Sequence, residues 1–371
     1  MKKIFLILLF FIVFFCSSTV FAQTEVVNTP PKQEILEAVV SKVIEEKQIE
    51  VMQKKQLFQK LELEITKGTL MGQKIIIKNG NIPLASQQKY QLDDKVMISI
   101  SEGLDGKKSY YISDYIRRDS LLVLFLIFVV LTVAVAKTRG LTSLIGMGIS
   151  FLVIFFIILP QISSGADPVS AAILGSLIII PVSFFLSHGL NKKTFVAIGG
   201  TLIALLITGI LSNIFVEAAH LTGFASEEAG FLQIAKQGAI DMKGLLLAGI
   251  IIGVLGVLDD ITISQSAIVF QLKEANNRLN ADDLYKRAMS VGQDHISSMV
   301  NTLILVYTGA GLPLLLLFIN NPRPFLEIIN YEIIADEIIR TLVGSIGLVL
   351  SVPITTFIAT FVASNKKWLR V

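Results

Sequence analysis

Two adjacent carboxylates, Asp259 and Asp260, interrupt an apolar stretch that runs over residues 245–269. Counted from Gly244, Asp259 lies about 23 Å along a helix, well inside a hydrocarbon core roughly 30 Å thick. A charged side chain at this depth costs about 2.5–3.5 kcal/mol on insertion scales, and such residues usually have a function. The pair is therefore predicted to bind a proton or a cation.

Hydroxyl side chains accompany this pair along the same stretch. At about 100° per residue, Thr262 and Ser266 fall on one stripe with Asp259, whereas Asp260 points a quarter turn away, towards Ser264. Because glycines let a second helix come close, Asp260 is predicted to pack inside a bundle, and Asp259 to face a second helix or a wet cavity. Three glycines share the face of Asp260: Gly249, Gly253 and Gly256.

The next apolar stretch opens with a second polar segment, VGQDHISSMVNT. Its polar groups recur at helical spacing, and two consecutive spans run antiparallel, so they are predicted to lie opposite the aspartates. Carboxylates, hydroxyls, an amide and an imidazole together suit a proton relay or a cation site. The alternative is that Asp294 and His295 lie in the membrane interface and that the hydroxyls bond only their own backbone. The predicted site comprises Asp259, Asp260, Thr262, Ser264, Ser266, Asp294, His295, Ser298 and Asn301, and Ser297 shares the face of Asp294.

The composition indicates an integral membrane protein. Apolar residues make up 53% of the chain and charged residues 16%, whereas soluble domains carry about 25% charged residues. Seven apolar segments have roughly the 20 residues needed to cross a bilayer. Pro353, which lies among Ser351, Thr355 and Thr356, predicts a hinge in the last of them. The predicted spans cover residues 121–136, 141–159, 169–186, 195–216, 245–269, 296–319 and 342–362.

The residues before these spans divide into three parts. Residues 1–22 carry two lysines, an apolar run and small residues before Gln23, as in a secretory signal peptide; an uncleaved first helix is the alternative. Residues 23–34 form a linker. Residues 35–115 alternate apolar and polar side chains between glycine turns, which predicts a small extracytoplasmic all-β domain, an oligonucleotide-binding-type barrel or a sandwich. Residues 116–371 form the helical transmembrane domain, so the fold class is mainly α.

The loop charges predict an orientation, because basic residues collect on the cytoplasmic side of a membrane. With the β domain outside, eleven basic residues of the loops and tail lie inside and four outside, and Arg117 and Arg118, just outside the first span, are the one misfit to this pattern. The chain is thus expected in the bacterial cell membrane with its C-terminus in the cytoplasm. The inner set is Lys137, Arg139, Lys192, Lys193, Lys273, Arg278, Lys286, Arg287, Lys366, Lys367 and Arg370, and the outer set is Lys236, Lys243, Arg323 and Arg340.

Several classes of function are disfavoured by the sequence. With one cysteine, Cys16, the chain offers no disulfide framework and no thiolate metal site, and no nucleotide-binding motif is present. The net charge of +3 does not indicate a nucleic-acid partner. No cofactor is predicted. The expected partners are the lipid bilayer and an unknown small solute or ion, and a second copy or another membrane protein stays open.

Two blocks of sequence resemble the YibE/F family of bacterial membrane proteins. They are GVLGVLDDITISQSAIVFQLKEAN and GQDHISSMVNTLILVYTGAGLPLLL. The resemblance covers most of residues 100–365, and the order of signal segment, exported domain and seven spans agrees with it. It implies a class of multi-pass membrane protein and no particular substrate.

Three functions can be weighed from these observations. The leading hypothesis is a transporter or ion-coupled permease that uses the paired aspartates. The alternative is an accessory or scaffold subunit of a membrane or envelope export complex. An intramembrane protease is disfavoured, because Gly256-Val257-Leu258 precedes Asp259 where such enzymes carry Gly-x-Gly-Asp or Tyr-Asp, so no enzyme is predicted.

Overall fold

The computed structural model describes residues 35–52, 54–81, 88–102, 108–319 and 323–365. The predicted signal peptide and linker, residues 1–34, lie outside the described residues, as does the basic tail at 366–371. The described residues fall into two compact units, one that ends at Leu131 and one that begins at Thr132.

The first unit contains a five-stranded antiparallel sheet that curves into a half-barrel. The strands follow the order β3-β2-β1-β4-β5 across the sheet. The prediction of a β-rich domain is confirmed, and the finer assignment to an oligonucleotide-binding-type barrel or a sandwich stays a prediction. The strands are β1 (Ile35–Val51), β2 (Lys54–Lys67), β3 (Lys74–Asn79), β4 (Lys95–Glu102) and β5 (Lys108–Tyr115).

Buried and outward-facing side chains alternate along the strands, and the buried ones form the core of this unit. Ala38 and Val40 of β1 are fully buried and pair with Ile65 and Leu63 of β2. Val39, which lies between them on β1, is only half-buried, in keeping with the two-residue period of a strand. The apolar side chains on one face of the curved sheet therefore form its core, and the opposite face carries the lysines and glutamates.

Ion pairs tie the sheet to the start of the first helix. Both guanidinium nitrogens Nη1 and Nη2 of Arg118 donate to the two carboxylate oxygens of Glu37, at 2.7 Å each. Lys95 Nζ lies 2.6 Å from Asp119 Oδ2. The hydrogen bonds from Arg118 hold the pKa of Glu37 below its ordinary value. These charge-assisted contacts join the sheet to the first turn of the first helix.

The second unit is helical, and α1 enters it from the first. Among the residues that the structure describes, five helical stretches are long and apolar enough to span a membrane: Arg118–Ser163, Pro168–His188, Lys192–Ala218, Met242–Ala275 and Glu332–Ser364. The helices are α1 (Arg118–Val153), α2 (Leu159–Ser163), α3 (Pro168–His188), α4 (Lys192–Ala218), α5 (Glu227–Ala235), α6 (Met242–Ala275), α7 (Ala281–Ala310), α8 (Leu312–Ile319), α9 (Phe325–Ile328) and α10 (Glu332–Ser364), with a π-helical segment Ile154–Ile158 between α1 and α2.

The first two predicted spans fall within one helical stretch that breaks at Lys137. This residue has φ 54° and ψ −133°, outside helical geometry. A Cβ atom on Gly140 would come within 2.5 Å of the carbonyl oxygen of Thr132, although an unbroken helix separates these residues by about 12 Å. The chain therefore bends sharply where the sequence predicts a loop.

The sixth predicted span is also bent. Helices α7 and α8 meet at Gly311 at an angle of 71°. They are long and apolar enough to cross a membrane only when the two are taken together as one span. The number of candidate spans in the described chain is therefore five, or six with this pair, rather than the predicted seven. The prediction of a mainly helical, multi-span domain is confirmed.

Helices α4, α6 and α10 form the most extensive contacts of the helical unit. Small residues allow this close approach: a Cβ atom on Gly200 of α4 would overlap Thr355 Oγ1 of α10, and one on Gly347 of α10 would overlap Thr208 Oγ1 of α4. The hydroxyls of Thr201 on α4 and Thr262 on α6 lie 2.7 Å apart. Close packing and interhelical hydrogen bonds are what hold helices together in lipid.

We expect Gly200→Ala to destabilise the protein by about 1–3 kcal/mol, because the added methyl group overpacks the contact with Thr355. Gly199→Ala is the matched control on the same helix, since its Cβ would meet no heavy atom within 4 Å. Thermal unfolding of the purified variants in detergent measures the difference. Equal losses of stability at both positions would contradict the tight α4–α10 contact.

Candidate functional site

Asp259 lies near the middle of α6, where this helix meets α3. Its Oδ2 atom accepts a hydrogen bond of 3.1 Å from Ser183 Oγ on α3, while Oδ1 is buried with no hydrogen-bond partner among the described residues. Pro181 precedes Ser183 by two residues and lacks an N–H, so the carbonyl one turn earlier loses its usual donor. Asp259 was expected to face either a second helix or a wet cavity. The structure shows the second helix, and the contact with it is polar.

Asp260 has different surroundings from its neighbour. It is exposed, and a Cβ atom on Gly249 or Gly256 of the same face would have nothing within 4 Å. The nearest atom to such a Cβ on Gly253 is the hydroxyl of Tyr307, at 3.8 Å. The prediction that Asp260 packs inside the bundle is wrong for the described chain, because the next helix contacts α6 at a different angle around its axis.

The hydroxyls predicted to line the aspartates serve other contacts. Thr262 Oγ1 donates to the carbonyl oxygen of Leu258 at 2.9 Å, in addition to its contact with α4. Ser266 Oγ donates to the carbonyl oxygen of Lys193 at 2.8 Å. Both side chains are fully buried, whereas Ser264 is half-buried. Thr262 and Ser266 thus join α6 to the region of α4, and neither bonds a carboxylate.

Helix α7 turns its polar face away from α6. Its packed side carries Gly292, Met299 and Leu303, and Leu303 clusters with Ile261 of α6 and Val352 of α10. The prediction that the polar groups of α7 face the aspartates is therefore wrong, because the apolar side of the helix is what meets its neighbours. On the opposite side Asp294, Ser297, Ser298 and Asn301 are exposed, and His295 is half-buried.

Gln265 is a buried polar residue that the sequence reasoning missed. It is 0% exposed, and its Nε2 donates to the carbonyl oxygen of Ala288 on α7 at 3.0 Å and to Thr356 Oγ1 on α10 at 2.7 Å. Its Oε1 is buried without a hydrogen-bond partner among the described residues. An amide within an apolar run was the signal that could have identified it.

Unpartnered oxygens also occur near Pro353, which lies inside α10. Thr355 Oγ1 and Thr360 Oγ1 are buried and have no hydrogen-bond partner within the described chain. The described residues contain no cluster of three or more His, Cys, Asp or Glu side chains that could hold a metal ion. The interior of this unit therefore offers hydroxyl, amide and carboxylate oxygens, which are the groups that bind protons and hard cations.

The candidate spans and the polar groups among them define a multi-pass membrane protein. The chain belongs to the YibE/F-like protein family, whose model matches residues 124–365, more than half of the chain. Asp259, Gln265 and the polar face of α7 all lie within the matched region. No curated protein and no solved structure matches the chain.

We expect Gln265→Ala to destabilise the helical unit by at least about 2 kcal/mol, because it leaves a cavity and removes the links to α7 and α10. Gln271→Ala is the control, since Gln271 is exposed on the same helix. Denaturation of both variants in detergent gives the comparison. A Gln265→Ala protein as stable as the control would show that these bonds do not join the helices.

Proposed function

We propose that this chain is an ion-coupled transporter in which Asp259 takes up and releases a proton or a cation. The observation that carries the proposal is the state of its carboxylate, with one oxygen bonded to Ser183 and the other buried without a partner. An ionised carboxylate in an apolar bundle is costly unless a proton or a cation accompanies it. Asp259 is therefore suited to exchange such an ion.

Asp260 supports a route to this site. It is exposed while Asp259 is half-buried. In this proposal the face of α6 that carries Asp260 is where an ion reaches the pair. Two adjacent carboxylates also attract cations more strongly than one does. In this scheme Asp259 holds the ion and Asp260 assists its entry and exit.

Two prolines supply the means for the helices to move. Pro181 lies in α3 two residues before Ser183, and Pro353 lies in α10 two residues before Thr355, which meets Gly200 of α4. Helices bend most readily at such positions, since the backbone hydrogen bond to proline is missing. A change in the bend of α3 would alter the distance from Ser183 to Asp259, and so couple ion release to movement of the bundle. The loop charges support a sheet domain outside the cell, where it could capture a solute.

Flux through purified protein in liposomes tests this proposal. We expect wild-type protein to move a solute or ion in a manner that depends on a proton or cation gradient, and Asp259→Asn to reduce that flux to background. Asp260→Asn should retain part of the flux, because its side chain is not the buried acceptor. The assay covers a panel of ions, with and without a pH gradient.

The control for these variants is Asp283→Asn, an exposed aspartate near the start of α7. It removes one negative charge without touching α6. All variants are compared at equal amounts in the liposomes and with equal thermal stability. Wild-type flux from the Asp259→Asn protein would rule out a coupling role for Asp259.

A second candidate function is that of an accessory or scaffold subunit of an export complex. The exposed polar face of α7 favours it, because such a face needs a covering partner in a membrane. Deleting residues 24–113 separates the two candidates. A self-sufficient permease keeps flux without this segment, whereas a scaffold that works through its sheet domain shows no flux and loses its partner.

A further inference from the structure

Glu332 is the first residue of α10, and its carboxylate contacts the loop that follows α4. Oε1 accepts hydrogen bonds from the backbone N–H groups of Thr222, at 2.5 Å, and Gly223, at 3.0 Å. The hydroxyl of Thr222 lies 2.8 and 2.9 Å from the two carboxylate oxygens. Hydrogen bonds to a carboxylate are stronger than those between neutral groups, so one residue ties the start of α10 to the chain that leaves α4.

The loop is shaped to present these donors, and glycine is required in it. Gly223 has a φ of 82°, in the left-handed region, and successive N–H groups in turns of this kind converge on anions. A Cβ atom on Gly223 would also overlap the carbonyl oxygen of Met242, the first residue of α6. The loop therefore lies against the start of α6, and Glu332 closes this end of the group formed by α4, α6 and α10.

Pro353 divides α10 into two arms. We call residues 332–352 the N-terminal arm and residues 354–364 the C-terminal arm. Proline supplies no N–H to the carbonyl oxygen one turn earlier, so a helix bends more readily there than elsewhere. The N-terminal arm is about 30 Å long, so a bend of about 10° at Pro353 moves Glu332 by about 5 Å.

The two arms are held to their neighbours in different ways. The C-terminal arm is tied to α6 by a buried hydrogen bond of 2.7 Å from Gln265 Nε2 to Thr356 Oγ1. The N-terminal arm packs on α4 by close contact at Gly347, where a Cβ atom would overlap Thr208 Oγ1. A buried polar bond thus holds one arm, and van der Waals contact holds most of the other.

The other polar side chains of the N-terminal arm bond their own helix. Arg340 lies 3.2 Å from Asp336, one turn earlier. Ser345 and Ser351 donate to carbonyl oxygens of α10 itself. Among the described residues, Glu332 therefore makes the only side-chain hydrogen bonds from this arm to another element.

We propose that Glu332 is a latch that holds the N-terminal arm of α10 on the loop after α4, and that this arm swings about Pro353 when the latch opens. Glu332 stands at the end of a candidate span, where water can replace the bonds that the carboxylate and the two N–H groups lose. Gln265 and Thr356 are fully buried and have no such replacement, so their arm stays in place.

The motion gives the transport proposed above a gate, and this use of it rests on the proposed function. Asp259 lies on α6 between the end that the latch closes and the buried bond of Gln265. Opening the latch separates α10 from α4 at one end only, while the C-terminal arm keeps the other end closed. The latch itself requires no transport, so a measurement without flux tests it.

Distances between spin labels, measured by pulsed electron paramagnetic resonance on the full chain in lipid nanodiscs, test the latch. Cys16→Ala removes the sole cysteine, so labels attach only where a new one is introduced. One pair, Ile214→Cys on α4 with Ile338→Cys on α10, reports the end that the latch holds. A second pair, Phe195→Cys with Phe361→Cys, reports the other end of the same two helices. All four side chains are exposed.

Glu332→Gln removes the charge that strengthens the latch. We expect the first pair to gain a second population that is longer by about 5 Å or more, as a bend of about 10° requires, and the second pair to keep its distance. Glu228→Gln is the matched control, because Glu228 is an exposed glutamate on α5, and it should change neither pair. An unchanged first pair in the Glu332→Gln protein would overturn the proposal, as would equal broadening of both pairs.

Pro353→Ala tests the position of the hinge. Alanine restores the missing N–H and stiffens α10, so it should reduce the longer population when it is combined with Glu332→Gln. A longer population that Pro353→Ala leaves unchanged would show that the arm does not turn at Pro353. Because these distances are read without a gradient, they decide the latch even when the flux assay finds no transport.

Discussion

A polar group in the hydrocarbon core of a membrane must find a partner within the protein, because neither lipid nor water supplies one there. Apolar side chains gain little by leaving lipid for another helix, so hydrogen bonds and close packing decide which helices associate. In this chain the bonds of Thr262 to Thr201 and of Gln265 to Thr356 join α6 to α4 and to α10. The third pair of this group, α4 and α10, packs closely at Gly200, where a Cβ atom would overlap Thr355.

The same requirement separates two aspartates that are adjacent in sequence. Asp259 meets Ser183 of α3 and keeps one buried oxygen without a partner, while Asp260 is open to whatever surrounds the chain. This difference between a half-buried and an exposed carboxylate is the basis of the ion-exchange role proposed for Asp259. On α7, Asn301 is exposed and has no hydrogen-bond partner among the described residues.

The sheet unit follows different rules, because water rather than lipid can satisfy its outer face. Its core forms from the alternation of buried and outward side chains, such as Val40 paired with Leu63. Its charged residues pair with each other, and the double hydrogen bond between Arg118 and Glu37 joins the sheet to the first helix. One chain thus combines a sheet stabilised by apolar burial with helices held by polar contacts.

The sequence alone determined the class of protein, the strand-rich unit and the faces of each helix, because the periods of 2.0 and 3.6 residues place every side chain about the axis of its own element. It grouped Asp294, Ser297 and Asn301 correctly on one face. It did not determine what each face meets, since a helical period carries no information about neighbours. Asp260 and Asn301 are therefore exposed where packing was expected. The contacts by which Gln265 joins α6, α7 and α10 were not predicted. The sequence predicted a break between residues 136 and 141, where the chain bends at Lys137. The bend at Gly311 depends on backbone angles that hydropathy does not encode, so only the tertiary structure showed that the sixth predicted span is broken.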